Sequence, residues 1–231
     1  MNYLQLVQTA QRILRATSDK LGAAPTTVVG QQGFNDELVF FIKQSWLDIQ
    51  NSNTRWRFLW KEGTLTLPEN ADTITPFAIS DFATLINADS DGRGRFITML
   101  VDGPDSETTI RFVPYAAFQQ SYLTRGVRGP GQPANFTVLP DERLRFDLIA
   151  DRPYTIKINY NRTPQELVDN LDVPIVAERY HMAIVWWAIA RYYCTTRDGA
   201  EKFRQKAAAE MAREMQKLNN EQVADPIILE V

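Results

Sequence analysis

The chain has 231 residues, 44% of them hydrophobic and 23% charged, with a formal net charge of −3. This is the composition of a globular protein with ample material for a core, in one or two domains. The acidic balance argues against a protein whose main task is gripping nucleic acid through its phosphates, because such domains usually carry a basic excess, but it leaves room for a surface that DNA slides past. The single cysteine, Cys194, excludes an internal disulfide or a cysteine zinc site, and the single histidine, His181, removes chemistry that needs imidazole pairs.

The opening stretch, MNYLQLVQTAQRIL, lacks a basic n-region, a long apolar run and a cleavage site, so no secretory signal is expected. A reducing, cytosol-like compartment follows, in which the sequons at Asn135 and Asn161 are irrelevant. Asn2 is placed to cap a first helix reaching about Ala16, with Tyr3, Val7, Ala10 and Leu14 on one face. Periodicity disappears over 17–33, where Gly22, Pro25, Gly30 and Gly33 mark a long loop, either plain surface or a reach toward a neighbour. Asn35 then reads as an N-cap with Asp36 and Glu37 in the first turn and Phe34 stapled against Val39. That helix is expected to run to about Gln50, with Leu38, Phe41, Ser45 and Ile49 on one side and Val39, Trp46 and Leu47 nearby. An aromatic cluster, Trp56, Phe58 and Trp60, follows; it reads as core, with a base-stacking platform as the alternative.

From Lys61 the apolar period changes from 3.6 to 2. Leu65 and Leu67, Ile110 and Phe112, Leu144, Phe146 and Leu148, and Ile156, Ile158 and Tyr160 each alternate with polar residues. Strands with one apolar and one polar face predict an antiparallel sheet wetted on one side. Residues 115–123 read as a short helix between strands, and GVRGPGQP at 126–133 as a loop.

Helical spacing returns after Pro174. Over 176–195, Val176, Tyr180, Ala183, Trp187, Ala190 and Cys194 form one apolar row, and Met182, Trp186, Ile189 and Tyr193 a second. Such a wide stripe predicts a helix packed on most of its circumference, with His181 and Cys194 as packing residues and Glu178 in the first turn. Its apolar core of nine residues, 182–190, is far short of the roughly 20 a membrane span needs. A last helix over 200–219 carries Phe203, Ala207, Met211, Met215 and Leu218 on one face. Asp225 and Pro226 stop it, and Ile227, Ile228, Leu229, Glu230 and Val231 form a β-prone tail suited to strand addition on another chain or to folding back.

Enzyme motifs are not found. The run Asn87–Gly92 resembles half of an EF-hand loop, but its twelfth position is Thr98 rather than a bidentate glutamate, and it reads as a turn. The glycines at 126, 129 and 131 lack the helix and the Gly-Lys-Ser/Thr of a phosphate loop. Asp141 and Glu142 sit in a turn, and Arg93, Arg95, Arg125, Arg128, Arg143 and Arg145 are scattered. No metal, no cofactor and no catalytic residue is assigned. A metal-dependent hydrolase using Asp89 and Asp91 is the weakest reading.

Taken together, the segments 1–14, 25–33, 45–62, 126–146 and 179–193 resemble, in order and spacing, the head-to-tail adaptor (connector) proteins of tailed bacteriophages. The resemblance implies a non-enzymatic, usually dodecameric ring docked beneath the portal, made in the host cytoplasm and resident in the virion neck. It would continue the channel for genomic DNA, without specific DNA binding, toward a tail tube or nozzle protein. It also implies a C-terminal extension that engages the portal, here Ile227, Ile228, Leu229, Glu230 and Val231. Subunit or tail contacts are expected at Arg125, Arg128 and Gln132. The competing function is a DNA-binding module using Trp56, Trp60 and the arginines. The expected fold is α+β: a four-helix body formed by both chain ends (1–60 and 165–222), an inserted, mostly antiparallel β domain (61–164), and an extended tail (223–231).

Overall fold

The computed structural model describes residues 1–15, 23–86, 97–101, 106–124, 129–195 and 201–223. The fold is mixed α+β. In chain order come α1 (Tyr3–Arg15), α2 (Phe34–Asn51), β1 (Trp60–Leu67), β2 (Thr73–Ile74), β3 (Phe82–Leu85), β4 (Ile97–Leu100) and β5 (Glu107–Phe112). Then follow α3 (Tyr115–Phe118), β6 (Pro130–Gly131), β7 (Asn135–Val138), β8 (Leu144–Phe146), β9 (Ile149–Ala150) and β10 (Tyr154–Arg162). Two helices, α4 (His181–Thr195) and α5 (Glu201–Gln222), complete the described chain. The chain divides into two compact units, one of Met1–Phe58 with Pro164–Val223 and the other containing Leu59–Thr163.

In the first unit, α1 starts with a reciprocal cap. The Gln5 backbone N–H donates to Asn2 Oδ1 (2.9 Å), and the Asn2 N–H donates to Gln5 Oε1 (2.8 Å). Two amide donors that a helix start leaves unpaired are thereby satisfied. The helix buries Tyr3, Leu6, Val7, Ala10 and Leu14. α2 departs from expectation at its start: its cap position is Gly33, at φ 58°, with no side-chain cap. Asn35 already lies inside the helix, within reach of Gln11 Nε2 (3.3 Å) and of the Ala23 carbonyl (3.5 Å). A left-handed residue before the first turn is most easily a glycine, which displaces the capping role from Asn35. The Phe34 ring meets the edge of Tyr192 at 5.5 Å. On the apolar face Ile42 is fully buried, whereas Phe41 is only half-buried.

The 176–195 stretch does not start as an α-helix. Ala177 is extended (φ −56°, ψ 143°), Glu178–Tyr180 form one 3-10 turn, and α4 proper begins at His181. α4 touches α1, α2 and α5. Ile184, Val185 and Ala188, which neither expected row contained, are buried, while Trp186 and Trp187 are half-exposed and Cys194 is exposed. A helix that is apolar all round has no single stripe to read, so bulk and position decide. Small and branched residues lie at the crowded contacts, and Cys194 lies in the exposed last turn. On α5 only Ala207 and Leu218 are buried.

In the second unit an eight-stranded, nearly closed sheet runs in the order β1-β10-β4-β5-β7-β8-β2, with β3 also paired to β10. Its terminal strands β1 and β2 also approach each other. Pairing is antiparallel except for β5 with β7, and a separate two-stranded piece pairs β6 with β9 in parallel. β10 shows the expected alternation, burying Tyr154, Ile156, Ile158 and Tyr160, and pairs β1 from Trp60↔Asn161 to Leu67↔Tyr154. Met99, Ile110, Phe136, Leu144 and Phe146 complete the same core. The strand expected through Leu148 stops at Phe146, because Asp147 is drawn inward. Its carboxylate accepts from the Ala134 N–H (3.1 Å) and the Asn135 side-chain amide (2.7 Å). The expected 115–123 helix is α3 followed by a single π turn, Gln119–Leu123.

Candidate interaction surfaces

Of the residues expected to make contacts, Ile227, Ile228, Leu229, Glu230, Val231, Arg125 and Arg128 lie outside the described residues, as does the Asn87–Gly92 run. Gln132 is exposed, directly after β6. The chain around it is held from below: Pro130 and Gly131 pair with Ile149 and Ala150, Pro133 is buried, and Asp147 grips residues 134 and 135. An amide on a tethered backbone loses less freedom on contact than one on a free loop, which suits a binding edge.

The root of the C-terminal tail is also anchored. Tyr180 Oη donates to Glu221 Oε2 (2.5 Å), Arg179 bridges the same oxygen at 3.0 Å, and Val223 forms an antiparallel bridge with Trp56. Trp56 is fully buried, stacks on Phe58 at 5.4 Å, and donates its indole N–H to the Ile49 carbonyl (2.7 Å). Its faces are occupied by its own unit and cannot stack a base, so the aromatic cluster is core at this position. Beside the root lies an open groove of about 620 Å³ lined by Asn53, Trp187, Met211, Met215, Asn219 and Val223. Trp187 and the two methionines are adaptable apolar lining of the kind used for peptide contacts.

The chemistry-bearing side chains are committed locally. His181 is buried, with Nε2 3.0 Å from the Val176 carbonyl and Nδ1 2.9 Å from the Met1 amino nitrogen. Burial holds its pKa below the ordinary imidazole value of 6.5. Arg143 pairs with Asp141 (2.7 Å) and Arg145 with Asp72 (3.1 Å), so neither is a free phosphate-seeking cation. In the second unit Asp81 is engaged by Lys61 and by Tyr160 Oη (2.7 Å). Those two contacts lower the carboxyl pKa, whereas burial, followed by Asp81, pushes Tyr160 up to about 12. Among the described residues no group of three or more His, Cys, Asp or Glu side chains is placed to hold a metal ion. Among the same residues no helix is long and apolar enough to cross a membrane.

Sequence reasoning missed a surface. Val29, Phe40, Val168, Leu171 and Val173 are all exposed, Leu171 at 79% and Phe40 at 57%. The signal was the Val, Leu and Val of the connector 164–175, which has no period and therefore cannot be the face of a helix or strand.

A model of the SU10 adaptor protein family matches residues 1–228. The chain belongs to the SU10 adaptor family. The match spans both compact units, so family membership applies to the whole architecture rather than to one module. Among curated proteins none matches the chain. An SU10 adaptor is a phage adaptor protein, which supports a structural role at the head–tail junction and links it to portal and tail proteins. The locally paired arginines and the buried Trp56 fit that role better than nucleic-acid capture.

Proposed function

We propose that the protein is a structural head-to-tail adaptor that assembles as a ring beneath the portal, extends the DNA channel and offers the tail its docking platform. The observation that carries this reading is the family match over residues 1–228. The four long helices, contributed by both chain ends, would act as one body packed side by side with copies of itself. The β unit would face the tail tube or nozzle protein, with Arg125, Arg128 and Gln132 at subunit or tail contacts. Ile227, Ile228, Leu229, Glu230 and Val231 would add to a portal strand edge, because a β-prone segment gains by pairing its backbone with an open strand. A net charge of −3 suits a channel that DNA passes without being trapped.

The test is truncation at Ala224, which leaves the Val223–Trp56 bridge and α5 intact. The truncated chain is expected to fold and to lose binding to purified portal rings in sedimentation. Unchanged binding would overturn the tail assignment. A chain that stays monomeric in mass photometry, alone and with portal, would overturn the ring.

A further inference from the structure

Two surfaces of the first unit are complementary to each other. The first is the exposed apolar patch. A chain of contacts ties its parts together: the Tyr3 N–H donates to the Asp172 carbonyl (2.7 Å), and Tyr3 Oη donates to the Val39 carbonyl (2.8 Å). The Val28 N–H donates to Asn170 Oδ1 (2.7 Å), and Lys43 pairs with Glu166 (2.8 Å). These bonds bring the 168–172 turn against the N-terminal half of α2, whose Asp36, Phe40 and Lys43 share a face at spacings of four and three. The turn is closed by Asp172, whose Oδ2 accepts the N–H groups of Val168 (2.6 Å) and Asp169 (2.8 Å), leaving Leu171 at its tip. Around Phe40, Val168 and Leu171 stand Asp36, Glu37 and Asp169, all exposed and without an ion pair among the described residues.

The second surface is the N-terminal half of α5. Residues Glu201, Lys202, Phe203, Arg204, Gln205 and Lys206 are all exposed, Phe203 at 40%. Lys202, Lys206, Ala209 and Arg213 recur at four, three and four along one exposed face, and Lys202 and Lys206 have no ion pair among the described residues. One face of this half is packed, with Ala207 buried and the Phe203 ring stacked on Tyr193 of α4 at 6.4 Å, but Phe203 keeps 40% of its surface exposed beside the lysines. The two surfaces lie on different helices. The patch is carried by α2 and the connector, whereas the principal helix contact of α5 is with α4.

We propose that neighbouring copies meet head to tail, with the Lys202, Phe203, Lys206 and Arg213 face of one α5 seated on the acid-rimmed Phe40, Val168 and Leu171 patch of the next. The occupant is a second copy because the charges on the two sides are opposite and each surrounds exposed apolar side chains. Unpaired carboxylates around an apolar centre face unpaired ammonium groups around Phe203 and the small Ala209. Two different patches joined in this way form a heterologous contact, the kind that closes into rings. The proposal rests on the ring reading above and names the surface that builds the ring.

The test uses the full chain in three forms: Lys202→Glu with Lys206→Glu, Asp36→Lys with Asp169→Lys, and all four changes together. All positions are exposed, so folding is checked by circular dichroism and is expected to be unchanged. Sedimentation velocity, with and without purified portal, reads assembly. Each double variant is expected to weaken self-association about tenfold or more, because like charges then oppose each other, and the quadruple variant to restore it. If the wild type forms rings and the double variants form them equally well, this surface is wrong and the ring reading stands. If the wild type never assembles, with portal or without it, both fail.

Discussion

Trp56 donates its indole N–H to the carbonyl of Ile49, seven residues back, at 2.7 Å. That bond closes the exit of α2 onto itself. The Trp56 ring then ends a stack in which Phe58 is sandwiched, 5.4 Å from Trp56 and 5.7 Å from Trp46. The backbone of the same residue bridges Val223, so the core of the first unit and the root of the tail meet at one residue. Trp56→Ala is expected to cost about 3–5 kcal/mol, as large aromatic deletions in closed cores do. Trp56→Phe keeps part of the stack and removes the N–H donor, and the Ile49 carbonyl keeps Ser52 Oγ at 2.7 Å. The cost there should be smaller, about 1–2 kcal/mol. Urea titrations of the two variants test the order. A DNA-stacking tryptophan would instead leave stability unchanged and alter nucleic-acid affinity.

Gly63 in β1 tests the packing of the second unit. A Cβ at this position would stand 2.7 Å from Ile79 Cδ1 and 3.0 Å from the Tyr160 ring. Gly63→Ala is therefore expected to destabilise by about 1–3 kcal/mol through overpacking. Adding Ile79→Val removes the offending methyl, so the pair should lose less than the sum of the single changes. A double-mutant cycle in urea reads the coupling; strict additivity would show that the clash is relieved elsewhere.

Elements defined by their own residues were legible in the sequence. The Asn2 cap, the alternation of β10 and the inward face of α1 depend on neighbours three, four or two residues away. Elements defined by a distant partner were not. In β7, Phe136 and Thr137 are both buried, so the strand has no alternation to read, and it exists because β5 and β8 flank it. β2, β6 and β9 have two residues each, too few to carry a period. The acid-rimmed patch was missed for the same reason. Tyr3 ties Asp172, next to Leu171, to Val39, next to Phe40, and no local pattern states that.

The α1 capping box gives a prediction of modest size. Asn2→Ala removes the acceptor for the Gln5 N–H and leaves an amide at the helix start without its partner. The expected cost is about 1 kcal/mol, equivalent to a melting shift of roughly 2–4 °C for a chain of this size. Asn2→Asp retains an acceptor and adds charge at the favourable end of the dipole, so it should hold or raise the melting temperature. Thermal melts followed by circular dichroism decide between them.

His181 sets a pH dependence. Its ring is buried between the Val176 carbonyl and the Met1 amino group, with Glu178 as the nearby carboxylate. Burial lowers the folded pKa below the unfolded value of 6.5. As pH falls, the unfolded chain therefore takes up the proton first. The stabilisation linked to neutral His181 is complete above about pH 6.5 and declines as pH drops toward the folded value. The urea midpoint of the wild type should fall between pH 7.5 and 5.5, before the carboxylates begin to titrate. His181→Phe cannot titrate, so although less stable at pH 7.5 it should show a flatter profile over that interval. Equal slopes for the two proteins would mean that the ring is not the group that senses pH.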